Sequence, residues 1–361
     1  MNSRTALIAF TAVESLGPVS LQKLLSRFST PEEVWSAGEQ ELKSKGVSSQ
    51  TIEAILRVNP ENFADKQLTS ANKLGAKIVL QSDSEYPECL KSLSDAPTVL
   101  FVHGVMPNST DLPGVAIVGT RKPSAYGKKI AAQTASELVS SEVTVISGYA
   151  AGIDAAAHEA AASAGGKTLA VLGCGLDYDY PAHNRTLRPQ IIERGALISE
   201  FPFGTSPVPW HFPRRNRIVS GLSRAVAVIE AGAKSGALIT AKSALDQGRE
   251  IFSVPGPIDS PLSIGTNRLI QDGAHPLLQT SDLLLLWKRE KKRAKVPLQI
   301  EIPLDENEQK LLTSIDNSPL HIDTLVDRSG LNAQTLMPVL LSLEIKGAVI
   351  RHPGMCFSRA G

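Results

Sequence analysis

Short apolar runs punctuate the middle of the chain: VAIVG (115–119), VTVISG (143–148), TLAVLG (168–173), ALISE (196–200), AVAVIE (225–230) and EIFSVPG (250–256). They do not alternate with polar residues, and their starts lie about 25 to 30 residues apart, the pattern of strands buried on both faces and joined by helices. The pattern predicts an α/β fold, an extended Rossmann-like doubly wound sheet. Glycines cluster at the ends of these runs (Gly119, Gly148, Gly152, Gly173, Gly175, Gly232, Gly236, Gly256), so the chain turns sharply at the carboxyl end of nearly every strand. Open α/β sheets bind their ligands at that edge.

The flanks have other periods. Residues 1–65 place Leu21, Leu24, Leu25 and Phe28 at helical spacing, with Thr30 before Pro31 as a helix start, and predict a small helical domain (SAM or helix-hairpin-helix-like). Strands expected at Lys77–Leu80 and Thr98–Val102 bracket the turn-rich YPECLKSL and lead into the sheet, so the binding domain is expected over 66–287. A basic linker follows at 288–304, opening with KREKKRAK. From Asp305 to the end, three helical patterns and GAVIRHPGMCFSR predict a winged-helix-like domain, 305–361. Its third helix offers Lys346 as its only base and includes Glu344, which suits a protein-contact or structural role better than phosphate recognition.

Composition narrows the classes. At 361 residues the chain is long enough for two or three domains, and 42% apolar with 20% charged residues excludes disorder, collagen-like repeats and coiled coil. No apolar stretch approaches membrane-spanning length, and the start of the chain has too short an apolar run for a signal peptide, so a soluble, cytoplasmic protein with no membrane partner is expected. Cys89, Cys174 and Cys356 lie far apart, and the histidines show neither HxH nor HExxH, so neither disulfide, metal nor cofactor is expected. With 37 basic against 36 acidic residues, any hint of an anionic partner must come from local clustering.

The turns supply that clustering. AIVGTRKPSAYG has only Gly119 of a GxGxxG fingerprint and no Walker A glycines, which removes the usual basis for a dinucleotide or NTP site. It sets Thr120, Arg121, Lys122 and Ser124 at a helix start, where free amides suit a phosphate. SGYAAGIDAAAH brings Ser147, Gly148 and Gly152 to a second helix start; Asp154 and His158 lie one turn apart there, but no nucleophile is near in sequence. In FPRRNRIVSGLS, beginning at Phe212 and next to Trp210, the bases Arg214, Arg215 and Arg217 gather at a helix amino end, against the dipole. Either a ligand stabilises them, with the aromatic stacking on an unpaired base, or they form a salt-bridged cluster over core aromatics. IEAGAKSGALITA adds Lys234, Ser235, Gly236 and Thr240, and the turn after EIFSVPG adds Gly265, Thr266, Asn267 and Arg268. Several such turns on one edge favour a chain of phosphates over a mononucleotide.

Taken in order, GTRKPSAYG, SGYAAGIDAAAH, VLGCGLDYDYP, SEFPFGTSPVPWHFPRRNR, EAGAKSGALITA and VPGPIDSPLSIGTNRLIQDGA resemble the DNA-processing protein A (DprA/Smf) family over about residues 75–285. The resemblance implies a homodimer that binds single-stranded DNA without chemistry and loads the recombinase RecA in natural transformation. By motif it assigns DNA contact to Arg121 with its neighbours in the GTR turn, to Ser147 and Gly148, to Phe212, Arg214, Arg215, Asn216 and Arg217, and to Lys234, Ser235 and Gly236. The chain departs from the family at LGP (Leu16 to Pro18), where a helix-hairpin-helix shows a further glycine, and at the glycine-poor wing GMCFSR. The competing class is a nucleotide hydrolase resembling the lysine-decarboxylase-like phosphoribohydrolases. Their PGGxGTxxE motif has an alanine here at its second acidic position, leaving Glu230 as the only nearby acid.

Overall fold

A computed structural model of the chain describes residues 1–107, 112–286, 304–316, 319–346, 348–352 and 354–359. It divides into two units, Met1–Leu286 and Trp287–Gly361. The expected basic linker falls almost wholly outside the described residues.

The first unit opens with six helices: α1 (Ser3–Phe10), α2 (Pro18–Leu25), α3 (Pro31–Ser36), α4 (Glu39–Ser44), α5 (Ser49–Leu56) and α6 (Pro60–Leu74). Their starts follow from side chains that replace the missing backbone acceptors, since Asn2, Thr30, Ser48 and Asn59 each accept an amide hydrogen bond of the first turn. Phe10, Leu21, Leu24, Phe28, Val34, Leu42, Ile52 and Ile55 form the head's own core. Helix α6 runs through residue 65, where the head was expected to end, and Gln67 exchanges hydrogen bonds with the Phe203 backbone (2.8 and 3.4 Å). Head and sheet are therefore continuous.

The sheet has nine strands: β1 (Ala76–Leu80), β2 (Val99–Gly104), β3 (Gly114–Val118), β4 (Val145–Ser147), β5 (Thr168–Val171), β6 (Ala196–Ser199), β7 (Ser223–Val228), β8 (Glu250–Ser253) and β9 (His275–Pro276). Their order is β1-β2-β6-β5-β4-β3-β7-β8-β9, parallel from β6 to β9 and antiparallel at β1 and β2. All six apolar runs are strands. The chain winds outward from β3 through β4, β5 and β6 in one direction, then restarts at β7 on the other side of β3. That reversal opens a crevice at the carboxyl end of β3. Around the sheet lie α7 (Glu88–Lys91), α8 (Ala125–Ser140), α9 (Ile153–Ser163), α10 (Arg188–Arg194), α11 (His211–Gly221), α12 (Gly236–Asp246) and α13 (Ile264–Gln271). Two apolar layers sandwich the strands, one built with Ile218, Leu222 and Ala241, the other with Ile8, Ala64 and Ile191.

The second unit holds helices Glu306–Ser314, Ile322–Ser329 and Ala333–Ile345, with an antiparallel sheet of β10 (Leu320–His321), β11 (Val349–His352) and β12 (Cys356–Arg359) in the order β10-β12-β11. This is the expected winged helix. Lys346, at the carboxyl cap of its third helix, pairs with buried Glu308 at 2.6 Å.

Candidate nucleic-acid interface

A cleft of about 650 Å3 lies in the crevice at the end of β3. It gathers Gly119, Thr120 and Arg121 from the first turn, Gly148 from the second, Phe212, Arg215 and Asn216 from α11, and Lys234, Ser235, Gly236 and Thr240 from the start of α12. Lys122 is exposed on the same turn as Arg121. The remaining sequence-derived residues, Ser147, Gly152, Arg214 and Arg217, do not line it.

Phe212 is the centre of the cleft. Its ring lies against Gly173, where a Cβ would sit 2.8 Å from the ring, so only glycine admits it. The guanidinium carbons of Arg121 and Arg215 stand 5.3 and 5.9 Å from the ring centroid, and Tyr180 flanks it at 5.5 Å. Cations at that distance are held by the ring quadrupole. Arg121 and Lys234 are exposed and have no carboxylate partner among the described residues.

The three arginines of α11 divide by helical phase. Arg215 is buried and donates to the carbonyls of Gly148 and Val171, next to Asp154. Burial pulls its pKa down to about 10, opposed by the Asp154 charge. Burial likewise raises the Asp154 carboxyl, opposed first by Arg215. Arg214 and Arg217 turn to the other side, where both pair with buried Glu200 (3.1 and 2.5 Å) and Arg217 also reaches Asp95. Of the two readings of these bases, the salt-bridged cluster therefore holds for Arg214 and Arg217, and a ligand is not needed to answer their charge. Glu200 and Asp154, from neighbouring elements, stabilise the three arginines.

Two helix starts expected to offer open amides are also filled from within. Glu230 accepts from the Ser124 amide (2.9 Å) and hydroxyl (2.5 Å) at the start of α8, beneath Gly127. Asp154 accepts from the amides of Gly148 (3.1 Å) and Ala150 (3.3 Å) in the β4–α9 turn. A carboxylate at a helix start does electrostatically what a phosphate would do there. Ser147 is buried and donates to the Ile117 carbonyl at 2.6 Å, and Gly152 takes a positive φ of 86° where the chain packs on the Thr120 carbonyl, so both shape the turn. His158 Nδ1 bonds the Thr168 hydroxyl at 2.7 Å, and burial first, then Arg215, lower its pKa to about 3. In the last turn Gly265 and Asn267 bond the backbone of Ala231 and Gly256. At the start of α12 the Ser235 hydroxyl accepts from the Ala237 amide at 3.4 Å, but no atom outside its own turn stands within 4 Å of a Cβ placed on Gly236, so the helix start is open on that side.

Reasoning from the sequence missed Tyr180 as a wall of the cleft and Glu200 as the partner of the arginines. Both stand in motifs already noted, LDYDYP and SEFPFG, but only the fold brings them to α11.

A wound parallel sheet with an aromatic and cationic cleft at its reversal point, a helical head and a winged-helix unit define an α/β protein with a candidate binding cleft at its sheet edge. The family model described as DNA recombination-mediator protein A matches residues 77–288, and that of the DprA winged helix domain matches 296–355. The chain belongs to the DprA/Smf family of DNA-processing proteins. It is 35% identical over 393 residues to Protein Smf of Synechocystis, covering 98% of each chain. It is 41% identical over 233 residues to the DNA processing protein DprA of Bacillus subtilis, covering 64% of this chain and 78% of that one. Among solved structures, DprA of Streptococcus pneumoniae superposes with a TM-score of 0.61 at 33% identity, over 75% of this chain and 98% of that one. DNA processing protein A of Helicobacter pylori, a structure reported for its single-stranded DNA binding mode, gives 0.53 at 29% identity, over 60% and 96%.

Proposed function

We propose that the protein binds single-stranded DNA in the sheet-edge cleft, without chemistry, and as a homodimer presents it to a RecA recombinase during natural transformation. The observation that carries the binding reading is Phe212, with the Arg121 and Arg215 guanidinium groups beside its ring at an open cleft that has Lys234 among its walls. An aromatic face beside free cations is how proteins hold unpaired bases and their phosphates without reading sequence. The single-stranded DNA binding reported for the Helicobacter relative supports it, and the RecA and dimer parts rest on the family alone. A hydrolase reading has less to stand on, because Glu230 is buried and engaged at Ser124.

Titration with single-stranded and duplex DNA of one sequence at two salt concentrations tests this. Single strands are expected to bind more tightly. Arg121→Ala and Lys234→Ala should weaken binding and flatten its salt dependence, whereas Phe212→Ala should weaken it with the salt dependence kept. Free base released from nucleoside monophosphates above background would replace the binding reading with the enzyme. Sedimentation showing only monomer would remove the homodimer.

A further inference from the structure

Helix α11 is a wall shared by two clefts. Phe212, Arg215 and Asn216 face the sheet edge, while Trp210, His211 and Arg214 face a second cleft of about 490 Å3 that α1 closes with Phe10 and Thr11. Trp210 stands at the lip between them, 69% exposed, with its ring edge-on to that of His211, 6.1 Å between centroids. The fold shows elsewhere how it houses a structural tryptophan: Trp35 stacks on Phe10 at 4.7 Å and donates its Nε1–H to the Ala6 carbonyl at 3.1 Å. An indole left in water does no such packing. A single exposed aromatic is ordinary on a protein surface, but one on a cleft wall next in line to a candidate binding residue is placed for contact.

We propose that Trp210 is a second base-stacking platform, over which a single strand held at Phe212 continues across the α11 lip into the cleft beneath the head. The inference rests on the single-stranded DNA reading and extends its footprint. Continuity favours a nucleic acid here, because a single residue, His211, separates Trp210 from Phe212 along the chain and the two side chains line the two clefts that share α11. Charge favours a base over a phosphate, because Arg214 is already neutralised by Glu200 and exposed Glu14 stands on the same cleft. The contact is therefore aromatic and nearly independent of salt.

Oligo(dT) binding by the full chain tests it at two lengths, about 4 and about 16 nucleotides, the range of single-strand site sizes. Trp210→Ala is expected to weaken the long oligonucleotide at least about fivefold, with the salt slope kept, and to leave the short one unchanged. Trp210→Phe, which keeps a ring, should restore most of the loss and guards against a folding defect in the alanine variant. If Trp210→Ala binds the long strand like the parent while Phe212→Ala and Arg121→Ala fail, the platform is wrong and the cleft reading stands. Equal losses at both lengths would also overturn the extended path. If none of the three variants changes either affinity, the cleft reading itself falls.

Discussion

A guanidinium under a sheet edge must find acceptors there, and Arg215 finds the carbonyls of Gly148 and Val171 with Asp154 alongside. Removing it leaves the buried Asp154 carboxylate without its counter-charge and two carbonyls without a donor, so Arg215→Ala should cost about 3 to 5 kcal/mol of stability in urea unfolding. An unchanged midpoint would show that Asp154 does not depend on it. His158 makes a second residue-scale prediction. Its folded pKa of about 3 lies below the ordinary 6.5, so as pH falls through 6.5 the unfolded chain takes a proton that the native fold refuses. Stability is thus lost progressively from about pH 6.5 towards 3. His158→Gln should flatten the stability profile between about pH 7 and 5, measured by denaturant midpoints, whatever its effect on the absolute level.

At the scale of elements, the start of α8 distinguishes a capped helix from an anion site. Glu230 already occupies the Ser124 amide and hydroxyl, so Glu230→Ala should lower thermal stability, by about 1 kcal/mol or more, without weakening oligo(dT) binding. Loss of binding in a variant that melts normally would mean that this helix start belongs to the DNA surface. The strands were legible because non-alternating apolar runs of four to six, such as VAIVG and AVAVIE, are too short for helices and recur at βα spacing with glycines after them. Strand β9 was not, since His275 and Pro276 are two exposed residues with no apolar run. The cleft was legible as turns rich in glycine and hydroxyls, yet the same residue types also serve to seal helix starts. What separates the open α12 start from the sealed α8 start is Glu230, a residue 106 positions from Ser124 whose role no local pattern reveals. The arginine cluster shows the same limit. Helical phase splits Arg214 and Arg217 from Arg215, but which side faces an acid depends on Glu200 and Asp154 arriving from other elements.

Taken as a whole, the molecule has almost no net charge, so any pull on DNA must come from a few placed cations rather than from a general field. With α8 and the β4–α9 turn sealed by carboxylates, the cleft itself contributes Arg121 and Lys234, and Lys122 stands beside them on the first turn. Two or three neutralised phosphates give a log–log salt slope of about −1.4 to −2.1 for single strands. The KREKKRAK segment carries six further bases, and if all of them met phosphates the slope would steepen to about −5.6 or beyond. We expect the shallow value for an oligonucleotide short enough to occupy one cleft, because stacking on Phe212 supplies affinity without releasing counterions. Affinity measured against salt on the full chain, and again with the six bases changed to glutamine, decides between the two. A steep slope that collapses in the glutamine variant would move the main contact from the sheet edge to the KREKKRAK segment.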